Sequence, residues 1–349
     1  MHTRILFICP DINDPSGGIK QIYRQVDILN AIGYEACVVH QNHGFKPHWF
    51  NTNTPIRYHY QIHAQLNDHP TRYPQWYIDL RLRQLSKNDI EIQENDILVI
   101  PESTIQRLNE VYPSHNKVIY NQGCYQTLHR YPTLIKPENT PFKHPKVIGT
   151  LVNSDDALMY MQTVFPSHDT FKIRHHINTT QFTPKFPKKK QIVYMSRKNW
   201  SDIKLVIQIN SLRGNLLNWQ IKDLKNLTHQ EVSKAMNESS IFLSANLDEG
   251  FGLPSIEAMA SGCLVVGYPG KGGKEYFDQN FSVPVPEKDI QQFALKLEES
   301  IKKINENPDF LLKNAQKARM FIDERYNETT EKKDIKTTWE KLINKTKEV

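Results

Sequence analysis

The sequence predicts an α/β protein made of two doubly wound, parallel-sheet domains in series. Three observations carry that reading. Short apolar runs rich in β-branched residues alternate with longer stretches of helical periodicity. The alternation restarts after the segment "TPKFPKKK" at 183–190, whose prolines and lysines read as a linker. The length of 349 residues exceeds what one hydrophobic core ordinarily organises.

In the first half, "RILFIC" (4–9) reads as a strand. Ile19, Ile22, Tyr23, Val26, Leu29 and Ile32 then mark one face of a helix, which Gly33 is placed to end. "ACVVH" (36–40) is the second strand, completing a β-loop-α-β unit that requires a right-handed crossover. Further strands are expected at 96–101, 117–120, 147–152 and 171–177, with a helix over 155–164 capped by Asn153 or Ser154. The stretch 44–75, rich in His, Asn, Pro and aromatics, reads as a long irregular segment facing substrate. The second series runs through strands at 191–196, 219–223, 241–245 and 263–269, with helices near 201–212, 229–237 and from Pro254 to a stop at Gly262. From about 287 onward the chain reads as helical and charged. The domains are therefore expected at 1–182 and 191–330, followed by a helical tail at 331–349. Parallel sheets of this kind bind ligands at the carboxyl ends of their strands, so two such sheets facing across a cleft would hold a ligand between them.

Composition narrows the function classes. Charged residues are 23% and hydrophobic residues 38% of the chain, the balance of a globular protein. No apolar run is long enough to span a bilayer, and the apolar stretch after "MHTR" is too short for a signal peptide. A cytoplasmic protein is expected, with peripheral contact at the inner face of the membrane left open. Cys9, Cys37, Cys124 and Cys263 show no CxxC spacing and read as reduced, mostly buried thiols. HExxH is absent, and His59 and His63 have the i,i+4 spacing without the intervening Glu, so no metal site is expected. The net charge of +6 admits an anionic partner, but no DNA-binding motif accompanies it, and nucleic acid is not expected. Its one tight cluster, Lys188–Lys190, reads as solvated linker.

The informative stretch is "NLDEGFGLPSIEAMASGCLVVGYPGKGGKEYF" (246–277). Seven of the chain's 14 glycines fall between Gly250 and Gly273, beside Glu249 and Glu257. Glu249 follows a strand, and Glu257 lies about one turn into the next helix, so both can face one ligand. Gly250 and Gly252 let backbone N–H groups approach sugar or phosphate oxygens, and a carboxylate such as Glu257 can accept both hydroxyls of a ribose. "SGG" (16–18), after the first strand, and "GKGGKEYF" (270–277) offer further glycine turns ahead of helices, where anions bind.

"EGFGLPSIEAMASG" resembles the E-x7-E signature of retaining, nucleotide-sugar-dependent glycosyltransferases of the GT-B fold, most closely glycosyltransferase family 4. The resemblance implies a final helix that crosses back to the first domain. It also implies transfer of a sugar from a nucleotide-diphosphate donor to a hydroxyl of a glycan or lipid-linked acceptor, with retention, as in surface polysaccharide biosynthesis. Carried over by position, Glu249 sits near the donor's anomeric carbon, Phe251, Gly252 and Leu253 offer backbone N–H groups, and Glu257 holds the ribose. Gly17 and Gly18 approach the diphosphate. Arg197 in "YMSRKNWSDIK" fits the family's phosphate-binding arginine. The usual lysine position holds Asp202, leaving Lys198, which is preferred, or Lys204. Asn121 and Gln122 stand where many members have a histidine facing the donor sugar, so no base for the acceptor is apparent. The leaving diphosphate would take the acceptor proton, and Arg197 and Lys198 would supply the charge that others draw from a metal. The competing classes are a sugar-nucleotide epimerase or hydrolase on the same plan, and a non-catalytic nucleotide-sugar-binding scaffold.

Overall fold

The computed structural model describes residues 3–67, 84–129, 131–197 and 199–347. The chain divides into two compact units. Unit 1 comprises Met1–Asn153, Ala157–Ile173 and Lys332–Val349; unit 2 comprises Ser154–Asp156 and Arg174–Glu331.

Unit 1 is built on a seven-stranded, wholly parallel sheet in the order β3-β2-β1-β4-β5-β6-β7. The strands are β1 (Arg4–Ile8), β2 (Glu35–His40), β3 (Ile56–Tyr58), β4 (Ile97–Pro101), β5 (Lys117–Asn121), β6 (Val147–Val152) and β7 (Thr170–Lys172). Alternate residues of β1 enter different cores: Ile5 and Phe7 join one apolar cluster, Leu6 and Ile8 the other. Both faces of the sheet are thus covered, which is why these strands read as unbroken apolar runs. Helix α1 (Gly17–Ala31) packs Ile19, Ile22, Tyr23, Val26 and Leu29 into the first cluster, and α3 (Asp155–Val164) contributes Ala157 and Met161 to the second.

Unit 2 carries a five-stranded parallel sheet in the order β12-β11-β10-β8-β9. Its strands are β8 (Lys189–Tyr194), β9 (Gln220–Asp223), β10 (Ser239–Asn246), β11 (Leu264–Pro269) and β12 (Ser282–Pro284). The helices are α4 (Trp200–Leu212), α5 (His229–Glu238), α6 (Leu253–Ala260), α7 (Ile290–Glu306) and α8 (Phe310–Arg325). The last helix, α9 (Glu328–Lys345), passes into unit 1 at Lys332, where Ile335, Trp339 and Leu342 bury in the core with Phe7. Their spacing places all three on one helix face.

Several elements differ from the sequence reading. The expected strand 171–177 ends at Lys172, because β6, its partner among the described residues, ends at Val152. The segment 44–75 lies partly outside the described residues. Within it, β3 pairs with β2, and α2 (Tyr60–Leu66) buries Ile62 and Leu66 after a cap in which the His59 ring accepts the Ile62 N–H. The short strand β12 was not anticipated. "TPKFPKKK" lies inside unit 2, and Lys188 is not solvated linker. Its ammonium donates to the carbonyls of Met236, Asn237 and Ser261, gathering the carboxyl ends of α5 and α6. Lys189 pairs with Glu238. All four cysteines are unpaired and buried. Among the described residues, no helix is long and apolar enough to cross a membrane.

Candidate functional site

Strand order fixes where each sheet can bind. In unit 2 the chain runs from β8 outward to β9 in one direction and from β10 to β11 and β12 in the other. The crevice at such a reversal, outside the carboxyl ends of the adjacent strands, is where open α/β sheets take ligands. The loop after β8 carries Arg197, and the loop after β10 carries Glu249, so the topology brings both expected residues to one crevice. A direct bond ties the Arg197 loop to the end of β10: the Asn199 side-chain amide donates to the Ala245 carbonyl at 2.7 Å. Arg197 is exposed there. Lys198 lies outside the described residues. Of the alternatives, Lys204 is exposed on α4, and Asp202 pairs with Lys288 at 3.1 Å.

The loop after β10 is held on all sides. Lys271 N–H donates to the Leu247 carbonyl and Gly272 N–H to the Glu249 carbonyl, at 2.9 and 3.1 Å. This contact explains the glycine at 272: a Cβ there would stand 1.9 Å from the Gly250 carbonyl oxygen. A relay of hydroxyls fixes the start of α6. Asn246 Nδ2 donates to Ser255 Oγ, Ser255 to Ser244 Oγ, and Ser244 to the Tyr268 carbonyl, all within 3.1 Å. Gly252 sits at φ +82°, a left-handed conformation, with a Cβ position only 2.8 Å from the Tyr276 hydroxyl. Phe251 is a core residue, edge-on to His175 and packed with Tyr276 and Tyr326, so only its backbone is available to a ligand.

Glu249 and Glu257 are half-buried, and both carboxylates lie near enough to Tyr276 to act on its phenol. Burial, then Glu249, Glu275 and Glu257, push that phenol well above its ordinary range. Glu257 also faces His229, at the start of α5, with Nε2 and Oε1 3.9 Å apart. The other ring nitrogen, Nδ1, accepts from the Gln181 amide at 2.7 Å, and the same amide lies 3.4 Å from the His229 carbonyl. Nε2 is therefore the protonated nitrogen, and its N–H is on the side of Glu257.

In unit 1 the chain reverses direction between β1 and β4. The turn bearing Gly17 and Gly18 follows β1 and opens α1, with Gly17 exposed. Gln122, after β5, reaches it: Gln122 Nε2 donates to the Gly18 carbonyl at 3.1 Å, and a Cβ at Gly18 would stand 2.8 Å from Gln122 Oε1. Asn121 differs from expectation. It is fully buried; its Nδ2 donates to Thr127 at 2.8 Å, and its Oδ1 accepts the Gly123 N–H. An amide so engaged shapes the loop and has no free face for a sugar. Sequence reasoning missed Glu102, the first charged residue after β4. It accepts the Gln122 N–H, and burial raises its carboxyl above the usual range. Its signal was available: a carboxylate directly after an apolar strand at the switch point. Among the described residues, no group of three metal-ligating side chains is present.

Comparison with solved structures defines the fold class. The chain is similar to S. aureus TarM, whose structure was determined with fondaparinux, α-GlcNAc-glycerol and UDP, at a TM-score of 0.66 and 12% identity over 98% of this chain and 99% of that one. It is also similar to sucrose-phosphate synthase of Thermosynechococcus elongatus, at a TM-score of 0.65 and 13% identity over 98% and 100%. Anabaena HepE in complex with UDP-glucose gives a TM-score of 0.63 and 13% identity over 97% and 99%. At such identities the likeness establishes the fold alone: the chain has the two-domain GT-B fold.

Residues 210–318, a stretch holding both Glu249 and Glu257, match the family of glycosyl transferases group 1. An α-1,6-glucosyltransferase of Actinobacillus pleuropneumoniae serotype 7 (strain AP76) is 24% identical over 230 residues. That match takes in 61% of this chain and 66% of the relative, just under two thirds of its length.

Proposed function

We propose that the protein is a retaining glycosyltransferase. It moves a sugar from a nucleotide-diphosphate donor to a hydroxyl of a glycan or lipid-linked acceptor, in surface polysaccharide assembly. One arrangement carries this reading. At the switch point of unit 2, two half-buried carboxylates flank a glycine loop that opens a helix, and the arginine-bearing loop is tied to the same strand end. The region's match to glycosyl transferases group 1 supports it. The UDP complexes of structural neighbours and the relative's name make UDP-glucose the first donor to try.

In the proposed reaction the bond from the anomeric carbon to the diphosphate breaks as the acceptor oxygen bonds to that carbon on the same face. The acceptor proton passes to the departing diphosphate oxygen. Glu249 stands by the sugar, Glu257 holds the ribose, and the loop N–H groups with Arg197 and Lys198 balance the growing charge on the diphosphate. Such catalysis works through positioning and fixed charge, and the role of a divalent cation falls to the basic side chains. Gly17 and Gly18 approach the diphosphate and Gln122 the donor sugar in this reading, while Asn121 holds the loop beside Gln122.

The test is incubation with UDP-glucose, GDP-mannose and ADP-glucose, with and without an acceptor glycan mixture. Products are read by mass spectrometry and their anomeric configuration by NMR. An acceptor-dependent product of unchanged configuration is expected. Complete donor turnover without acceptor identifies an epimerase or hydrolase, binding with no turnover identifies a scaffold, and an inverted product overturns retention.

A further inference from the structure

Tyr276 is 1% exposed, at the end of the "GKGGKEYF" turn, in ring contact with Phe251, Phe277 and Tyr326. Its hydroxyl stands 2.9 Å from the Phe251 carbonyl oxygen and 2.7 Å from that of Gly252. The phenolic proton, shared between the two, holds both oxygens on one side of the loop. A trans peptide unit is planar, with its N–H opposite its C=O. The N–H groups of Gly252 and Leu253 therefore point away from Tyr276.

Those two groups are distinctive in the loop. Gly252 is left-handed and Leu253 begins α6, a succession that turns adjacent N–H groups into one anion-binding concavity at a helix N-terminus. Pro254 has no N–H, and the Ser255 N–H is already bonded to the Gly252 carbonyl at 3.1 Å. The N–H groups of Gly252 and Leu253 have no acceptor among the described residues, although Gly252 is buried. Buried backbone donors are almost always paired, so an unpaired pair aimed one way marks the place of a ligand oxygen. Burial first, and then the neighbouring carboxylates, push the Tyr276 phenol well above its ordinary range, so it stays a donor.

We infer that Tyr276 is a positioning residue of the donor site: its hydroxyl orients the 251–253 peptide units so that the Gly252 and Leu253 N–H groups meet the distal phosphate and sugar of a nucleoside diphosphate sugar. This inference rests on the nucleotide-sugar reading above. Tyr276 itself does not touch the donor.

Tyr276→Phe keeps the ring in its packing and removes only the oxygen. Binding is measured by calorimetry for UDP-glucose, GDP-mannose and ADP-glucose, each against its nucleoside monophosphate. For the donor that binds wild type, the variant should lose about tenfold or more in affinity, the worth of one or two hydrogen bonds. Affinity for the matching monophosphate, which lacks the distal phosphate and sugar, should stay within about twofold of wild type, a difference worth less than 0.5 kcal/mol. A merely structural role would weaken both ligands together. Should the variant fail to fold, amide exchange on the wild-type protein decides: the Gly252 and Leu253 amides should slow with the nucleotide sugar and not with the monophosphate. Equal losses for both ligands, no loss for either, or unchanged exchange overturns the inference alone. If wild type binds none of the three sugars and no other UDP-, GDP-, ADP- or dTDP-sugar, the function proposed above fails and this inference falls with it.

Discussion

Replacing Lys188 by methionine removes one ammonium and keeps the length of the side chain. That ammonium donates to three carbonyls, at 3.4 Å to Met236, 2.8 Å to Asn237 and closely to Ser261. All three belong to the carboxyl ends of α5 and α6, where a helix dipole favours a cation. Bonds to a charged donor are worth about 1.5–3 kcal/mol each; the Asn237 and Met236 carbonyls keep the Lys185 and Ser239 N–H groups, so only the Ser261 carbonyl adds the cost of a lost partner, about 1–3 kcal/mol. Against this stands the cost of burying the ammonium, which pulls the Lys188 pKa below its ordinary value and amounts to several kcal/mol. Taking one strong bond, one weak bond and one of intermediate worth, and subtracting the desolvation, leaves a net loss of about 3 kcal/mol. For a unit of this size each kcal/mol moves the melting temperature by about 2–4 °C, so a drop of about 6–12 °C is expected. Scanning calorimetry and urea titration of Lys188→Met beside Lys190→Met provide the assay. Lys190 is exposed, and its replacement should shift stability by no more than about 0.5 kcal/mol. If the two variants melt together, the ammonium is not holding the helix ends and the reasoning is wrong.

Other outcomes follow from the same geometry. Glu257→Ala should weaken nucleoside diphosphate binding by about 2 kcal/mol, roughly 30-fold, and erase the preference for ribose over 2′-deoxyribose; calorimetry with both sugars reads this directly. Saturating EDTA should leave the transfer rate unchanged, and full loss restored by magnesium would refute charge balance by Arg197 and Lys198. His63, 4% exposed with its Nε2–H bonded to the Val39 carbonyl, has its pKa pushed down by burial to about 4. Its folded pKa lies below its unfolded one, so its neutral form supports the fold fully above about pH 6.5, and this support is lost as pH falls toward 4. Urea titrations at pH 7 and 4.5 should therefore show a smaller acid loss in His63→Gln, by about 2–3 kcal/mol.

Much of the fold was legible because buried parallel strands write themselves as apolar runs. β1, β2, β4, β5, β6, β10 and β11 all appear in the sequence within a residue or two of their ends. The pieces that escaped are short and edge-bound. β3 and β12 have three residues each, too few to show a period, and α2 starts from a histidine cap in place of the usual Ser, Thr, Asp or Asn. In the candidate site, Glu249, Glu257 and the glycines stood out because chemistry and backbone freedom are written in residue type. Tyr276 and Lys188 did not, because both act on backbone carbonyls that no residue type announces. Asn121 and Gln122 were adjacent and equivalent on paper. A strand end turns one inward to Thr127 and the other toward Gly18, a distinction set by the register of β5.

The most direct measurement is thermal unfolding of the wild-type protein across a panel of UDP-, GDP-, ADP- and dTDP-sugars. A ligand present at a hundred times its dissociation constant stabilises the folded state by about 2.7 kcal/mol. At least one nucleotide sugar should therefore raise the melting temperature by several degrees, and Glu257→Ala, binding about 30-fold more weakly, should keep only about a third of that rise. A melting temperature indifferent to every nucleotide sugar at millimolar concentration would contradict the account at its root.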